Sequence, residues 1–285
     1  MKFGQVMKIK DHLVSRKTFT LVECKRCSFR FVKDVPPATE AGEYYETEEY
    51  VEHSDSAEGV VNRVYHVARS WMLRHKRNLV SNSTLPKTIL DIGTGTGYFL
   101  NHMKLHGYQT YGLEISDRAR TFGQDEFGLD IRRPQALYQD DFPRDITTVT
   151  FWHVLEHIYN VGDVMDRLLD ILHPDGQVIV ALPNYHCHEA KVYGDYWNGY
   201  DVPRHIWHFD KKTFTQFAER HGYQVSKTTI LPLDPYYNCL ISESYRGRKF
   251  ENAWMPVRGS ISLAKGLLRH DRASSIVYFL SKKSS

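Results

Sequence analysis

The stretch that most constrains this chain is Ile89-Leu90-Asp91-Ile92-Gly93-Thr94-Gly95-Thr96-Gly97-Tyr98-Phe99-Leu100, an apolar strand that enters a glycine-rich turn and leaves as a helix. Glycine is required where backbone adopts a positive φ or must approach a ligand closely, and a side chain at Gly95 would fill the space a cofactor needs. Two cofactor classes use this layout. A dinucleotide site wants G-x-G-x-x-G with the pyrophosphate at the helix N-terminus. Here the glycines fall at 93, 95 and 97, and Tyr98 stands where the third dinucleotide glycine belongs. Asp91 adds a carboxylate at the mouth of the site. It would repel a pyrophosphate and attract a ligand carrying an ammonium and a sulfonium. Glu114, closing the next strand in Tyr111-Gly112-Leu113-Glu114-Ile115-Ser116, can accept both hydroxyl hydrogens of a ribose. Its alternative role is a negative charge at the N-terminus of the following helix.

From about Gly59 onward, strand and helix patterns alternate, which is the mark of βαβ units and a doubly wound, mostly parallel α/β sheet. A helix is expected over 59–81 with Val60, Val64, Val67, Trp71 and Leu79 on its apolar face. The run Arg74-His75-Lys76-Arg77 then reads as a solvated face. Strands follow at 88–92, 108–113 and 147–153, with helices over 98–106 and from Ser116 onward. A further helix buries Val161, Val164, Met165, Leu168, Leu169 and Leu172. His173-Pro174-Asp175-Gly176 turns into the strand 177–182. A helix capped by Asp210 ends at Gly222 as its C-cap, and strands at 223–231 and 275–280 bracket a helical insertion over 234–272. The insertion carries Tyr236, Tyr237, Tyr245 and Trp254, which could cap an acceptor pocket or form the contact of a homodimer. We take residues 1–57 as an N-terminal arm and 58–285 as the main domain. In the arm, Phe19–Val22 and Phe29–Val32 form a hairpin around Cys24 and Cys27, and Tyr44, Tyr45, Tyr50 and His53 form either a lid or a surface arm.

Cys24-Lys25-Arg26-Cys27 supplies half of a tetrahedral zinc site. Cys187, between His186 and His188, could complete it only by long-range folding, so the bland reading is two reduced thiols. The 37 basic and 34 acidic residues leave a net charge of +3, too small to predict nucleic-acid binding. No run approaches the roughly 18 apolar residues of a membrane span. The first residues lack the apolar core of a secretory signal, so a cytoplasmic protein is expected.

Four segments in order resemble the class I S-adenosylmethionine-dependent methyltransferases: Asp91 to Gly97, Glu114, Phe151-Trp152-His153-Val154-Leu155-Glu156-His157, and Leu172-His173-Pro174-Asp175-Gly176-Gln177-Val178-Ile179-Val180. Asp201-Val202-Pro203-Arg204-His205-Ile206-Trp207-His208-Phe209 resembles the subgroup of ubiquinone-type O-methyltransferases and sugar C-methyltransferases. The resemblance implies a Rossmann-like seven-stranded sheet ordered 3-2-1-4-5-7-6 with strand seven antiparallel. It implies that Asp91, Gly93, Thr94, Gly95 and Gly97 hold the methionine end of S-adenosylmethionine. Glu114 and Ile115 would take the ribose side, Gln135-Ala136-Leu137 the adenine, and Arg69 the cofactor carboxylate. Relatives with sugar substrates carry two cysteine pairs at the amino terminus, of which only Cys24 and Cys27 are present.

The expected reaction transfers a methyl group to oxygen or carbon of a small sugar- or quinone-like acceptor and yields S-adenosylhomocysteine. Alignment and exclusion of water supply most of such catalysis. A proton acceptor, where one is needed, is expected at His157 or His205, with His153 lining the cofactor side. Each of these histidines could instead be structural. Glu156, His157 and Asp201 could also gather a divalent cation. A nicotinamide-dependent oxidoreductase on a similar sheet, and a methyltransferase-like binding module without turnover, remain the competing readings.

Overall fold

The computed structural model describes residues 2–45, 60–80, 85–247 and 254–283, with only the helical backbone described for 60–65. Tyr50 and His53 lie outside the described residues, and so do the side chains of Val60 and Val64. The chain runs β1 (Phe3–Lys10), β2 (Thr18–Cys24), β3 (Arg30–Lys33), α1 (Val60–Val80), β4 (Thr88–Ile92), α2 (Tyr98–Lys104), β5 (Gln109–Leu113), α3 (Asp117–Phe127) and β6 (Asp130–Arg132). It continues β7 (Ile146–Trp152), α4 (Val161–Ile171), β8 (Leu172–Pro183), α5 (His188–Tyr193), β9 (Trp207–His208) and α6 (Lys211–Arg220). Last come β10 (Tyr223–Ile230), α7 (Asp234–Tyr245), α8 (Met255–Leu268) and β11 (Ser275–Lys282).

Seven strands form one sheet in the order β10-β11-β8-β7-β4-β5-β6. The pairs from β8 through β6 are parallel, and β11 runs antiparallel to both β8 and β10. Counted from the strand that feeds the glycine turn, this is 3-2-1-4-5-7-6 with the seventh antiparallel, as the resemblance implies. The dinucleotide order 3-2-1-4-5-6 has no such inserted strand.

Sheets covered by helices on both faces need strands that are apolar on both faces. β7 and β11 meet that need with six consecutive buried residues each. On one face Leu90, Val149, Val180 and Tyr278 pack with Met165 and Leu168 of α4 and Phe214 of α6. On the other, Ile89, Ile179 and Val277 pack with Leu100 and Met103 of α2 and Val80 of α1. His173–Gly176 loop out of β8, since Ile146 pairs with Leu172 and Thr148 with Gln177. Asp210 caps α6 with a reciprocal Thr213 bond, but the C-cap is His221, with Gly222 (φ +77°) one residue beyond.

The buried face of α1 differs from expectation. Val67 and Trp71 are 68% and 41% exposed, and the inward stripe is Met72, Leu73, Leu79 and Val80. Lys76 lies on that stripe rather than on a solvated face, its ammonium 4.6 Å from the Trp152 ring centre. Of the expected face Leu79 does lie on the inward stripe, while Val67 and Trp71 turn outward, since apolar residues occur on both sides of this helix.

The expected hairpin is β2–β3. β1 adds to one side of it and β9 to the other, giving a second antiparallel sheet ordered β1-β2-β3-β9. Arg204, 4% exposed, locks this sheet to the later chain. It donates to Asp11 Oδ1 (3.1 Å), the Tyr44 carbonyl (2.9 Å) and Asp201 Oδ2 (3.0 Å). Among the described residues no helix is long and apolar enough to cross a membrane.

Candidate active site

The turn after β4 holds three glycines in the left-handed region, Gly93 at φ +70°, Gly95 at +57° and Gly97 at +83°. They are not equivalent. A Cβ at Gly93 would stand 2.4 Å from Val154 Cγ2 and one at Gly97 2.7 Å from Leu129 Cδ1, whereas one at Gly95 would meet nothing within 4 Å. The first and third glycines therefore serve packing, and the second borders open space. The Gly95 N–H donates to Glu114 Oε2 at 2.8 Å, and the Ser116 N–H to Glu114 Oε1 at 2.9 Å. Arg120 supports this corner from below by donating to the carbonyls of Glu114 and Ile115. Ile115 itself is 78% exposed, an apolar side chain standing beside the carboxylate.

Asp91 is not at the mouth as expected. It is buried, with Oδ1 accepting from Thr150 Oγ1 at 2.6 Å, because its side chain turns toward β7. Burial raises its pKa to about 6 against the opposing effects of Thr150 and Lys76. An unfolded aspartate titrates near ~3.9. The folded chain thus holds this proton more tightly, and the ionised form costs stability that is absent below the unfolded pKa and complete above pH 6. Asp91→Asn is expected to raise unfolding free energy at pH 7.5 by about 2 kcal/mol and to give a smaller gain at pH 4.5. Urea unfolding at the two pH values checks this, and an equal gain at both would contradict it.

Arg69, expected at the cofactor carboxylate, stacks on the ring of Tyr98 at 4.1 Å, beside the glycine turn. Lys76, two turns along the same helix, is the cation that faces Asp91 and Asp234. Burial lowers its pKa against the pull of those two carboxylates. In the 3-10 turn at Pro134–Tyr138, Ala136 and Leu137 are buried in the core and Gln135 is exposed. Of the adenine segment, the side chain open to a ligand is therefore that of Gln135.

His153 follows β7 with φ +60°. Its Nε2 lies 2.9 Å from Asp234 Oδ2 of the insertion and its Nδ1 3.7 Å from Glu156 Oε1. Burial opposes its charge, but the two carboxylates outweigh burial and raise its pKa to about 10. A pKa raised this far favours the imidazolium at neutral pH, which suits an ion pair with Asp234 better than the acceptance of a proton. Glu156 and His157 stand on the 3-10 turn that follows Val154, the residue whose side chain abuts Gly93. His205 is brought alongside by two anchors. The Ile206 N–H donates to the Glu156 carbonyl at 2.9 Å, and Trp207 Nε1 to the Ile158 carbonyl at 2.7 Å. The rings of His157 and His205 meet edge to face at 4.6 Å. Burial and His205 lower the His157 pKa to about 4, and Tyr45 Oη lies 3.0 Å from its Nδ1. His208 is buried beside Tyr200, its pKa pushed down by burial to about 3, and acts as structure.

The family pattern described as "Methyltransferase domain" matches residues 64–228, more than half of the chain. The chain belongs to the class I S-adenosylmethionine-dependent methyltransferases. No curated protein matches it in sequence. Among solved structures, a SAM-dependent methyltransferase from Archaeoglobus fulgidus is 17% identical at TM-score 0.52, over 75% of this chain and 94% of that one. The 1,6-didemethyltoxoflavin-N1-methyltransferase of Burkholderia thailandensis, solved with 1,6-didemethyltoxoflavin and S-adenosylhomocysteine, is 13% identical at TM-score 0.52, over 92% and 99%. The [4+2]-cyclase SpnF is 14% identical at TM-score 0.51, over 75% and 81%. At these identities the likeness is one of fold, and a fold does not by itself fix a reaction.

Two charged residues of this methyltransferase's cleft escape sequence reading. Lys76 could have been found as a lysine interrupting the stripe 72, 73, 79, 80. Asp234 had no such signal, since only tertiary packing brings the start of α7 to His153. The cysteine pair gains no partners: Cys24 and Cys27 are free thiols, and among the described residues no third ligand-bearing side chain gathers with them. Cys187 is instead buried at the start of α5, where its sulfur accepts the Ala190 N–H.

Proposed function

We propose that this methyltransferase transfers the methyl group of S-adenosylmethionine to an oxygen or carbon of a small sugar- or quinone-like molecule. The observation that carries the reading is the open space at Gly95, bordered by the Glu114 carboxylate and the exposed Ile115. That space would admit a nucleoside, with Glu114 accepting from its ribose hydroxyls, Ile115 covering the adenine ring and Gln135 at its edge. Gly93, Thr94 and Gly97 shape the turn. Asp91 would attract the ammonium of the methionine end, and Lys76 and Arg69 on α1 its carboxylate. Bound there, the cofactor supplies a methyl group already activated by its sulfonium.

The chain's part is alignment, dryness and proton handling. The Asp234–His153 ion pair fixes the end of β7 against the insertion. His157 and His205, whose rings meet edge to face, would line the acceptor's side of the site. The weak net charge supports a small acceptor over a nucleic acid. The Burkholderia thailandensis neighbour, an N1-methyltransferase with 1,6-didemethyltoxoflavin bound, supports a small acceptor without bearing on the atom methylated.

Incubation with methyl-labelled S-adenosylmethionine and a metabolite extract tests the reading. Label is expected in the low-molecular-weight fraction, and label confined to protein or nucleic acid would overturn it. Asp91 supplies a second check. Its carboxylate is ionised above pH 6, and protonation at pH 5 is expected to weaken S-adenosylhomocysteine binding about tenfold relative to pH 7.5. Calorimetric titration at the two pH values reads this directly, and equal affinities would contradict the role of Asp91.

A replacement of Glu114 by alanine removes both ribose acceptors. With charge-assisted bonds at about 1.5 kcal/mol or more each, affinity for S-adenosylhomocysteine is expected to fall roughly 100-fold. A fall of less than threefold would remove Glu114 from the site.

A further inference from the structure

We propose that Glu156, His157 and His205 form a binding site for a divalent first-row transition-metal cation at the acceptor side of the cleft. One ligand atom from each of the three residues lies within 4.8 Å of the others. Glu156 is 1% exposed, yet neither of its carboxylate oxygens has a hydrogen-bond partner. Its charge faces the His153 ring, but a buried carboxylate left without hydrogen bonds is costly and calls for a further ligand. The surroundings supply ring nitrogens instead: His205 Nε2 at 4.0 Å and His153 Nδ1 at 3.7 Å from Oε1, both beyond hydrogen-bond reach.

Both candidate histidines are oriented as metal ligands are. His205 Nδ1 donates to the Gly199 carbonyl at 2.9 Å, which leaves Nε2 directed at Glu156. His157 Nδ1 is taken by Tyr45 Oη at 3.0 Å, which leaves its Nε2 free. A ligating imidazole usually spends its other nitrogen on such an outer partner. The alternative third ligand, Asp201, is excluded because both its oxygens are bound by Arg204. His205 takes its place through the backbone anchors that seat 206–207 against 156–158.

Two imidazoles and one carboxylate suit zinc, cobalt, iron or manganese better than calcium. Three protein ligands also leave coordination positions for a substrate. Held by the turn that follows Val154, the residue that abuts Gly93, the cation would meet the acceptor and lower the pKa of its hydroxyl. That role rests on the methyl-transfer reading; the existence of the site does not.

The test uses the tag-free, chelator-stripped chain titrated with Co²⁺ and followed by visible absorption, with Zn²⁺ calorimetry in parallel. We expect saturation at one equivalent without a thiolate charge-transfer band. Glu156→Gln and His205→Ala should each weaken binding at least tenfold, and the double change Cys24→Ser/Cys27→Ser should leave it intact. Far-UV circular dichroism verifies that each variant is folded, and the thiolate band is read on the unmodified chain, so the outcome does not depend on any one variant. No saturable cobalt binding, a thiolate band, or binding that survives both Glu156→Gln and His205→Ala overturns the proposal. Cobalt binding by a chain that gives no heat with S-adenosylhomocysteine upholds the metal site and overturns the cofactor reading alone.

Discussion

Replacing Gly93 by alanine is expected to damage the fold, whereas the same change at Gly95 is expected to spare the fold and damage binding. Both residues lie in the left-handed region, where a Cβ costs about 1–2 kcal/mol. At Gly93 the added carbon would also be driven to 2.4 Å from Val154 Cγ2, and overpacking of this kind adds about 1–3 kcal/mol. At Gly95 it meets no atom of the chain. Urea unfolding should therefore show a loss of about 2–4 kcal/mol for Gly93→Ala and about 1 kcal/mol for Gly95→Ala. Titration of Gly95→Ala with S-adenosylhomocysteine should show at least a tenfold loss of affinity. Equal destabilisation by the two, or wild-type affinity in Gly95→Ala, would contradict this division of labour.

Arg204→Ala should be among the most damaging single substitutions in the chain. The guanidinium sits between Asp11 and Asp201 and also satisfies the Tyr44 carbonyl. Removing it leaves carboxylates in the interior without their cation, a loss on the order of 3–5 kcal/mol. Asp11 keeps its bonds from the backbone of Leu13, Val14 and Ser15, so Asp201 carries most of the penalty. Asp201→Asn added to Arg204→Ala should accordingly recover part of the loss. Arg204→Lys should recover little, because an ammonium cannot reproduce the planar fork. The readout is the unfolding free energy of the three variants, and an Arg204→Ala change below 1 kcal/mol would show that the N-terminal sheet is held by other means. Since Tyr44 precedes Tyr45, the same loss should loosen the Tyr45–His157 contact.

The main sheet was legible because its strands and helices obey strong periodicities. β11 carries the apolar run Ile276–Leu280, β4 and β7 are short segments rich in β-branched and apolar residues, α4 repeats its apolar residues at three and four, and Asp210 announces α6. β6 and β9, at three and two residues, are too short to carry a pattern, and β1 alternates too weakly to distinguish from a polar loop. The same contrast holds in the site. The glycine turn and Glu114 are local, so spacing alone located them. The clamp of Asp234 on His153 joins residues 81 apart in sequence, and His205 reaches Glu156 only through bonds made by its neighbours. Asp91 lies inside rather than at the mouth because sequence gives a residue's position on a strand but not which neighbour its side chain finds.

The most direct test of the account is calorimetric titration of the unmodified chain at pH 7.5, once with S-adenosylhomocysteine and once with NADH. Saturable heat at one ligand per chain with the first and none with the second is the predicted result. Heat with NADH alone, or with neither ligand at high micromolar concentration, would contradict the assignment of the glycine turn to a sulfonium cofactor.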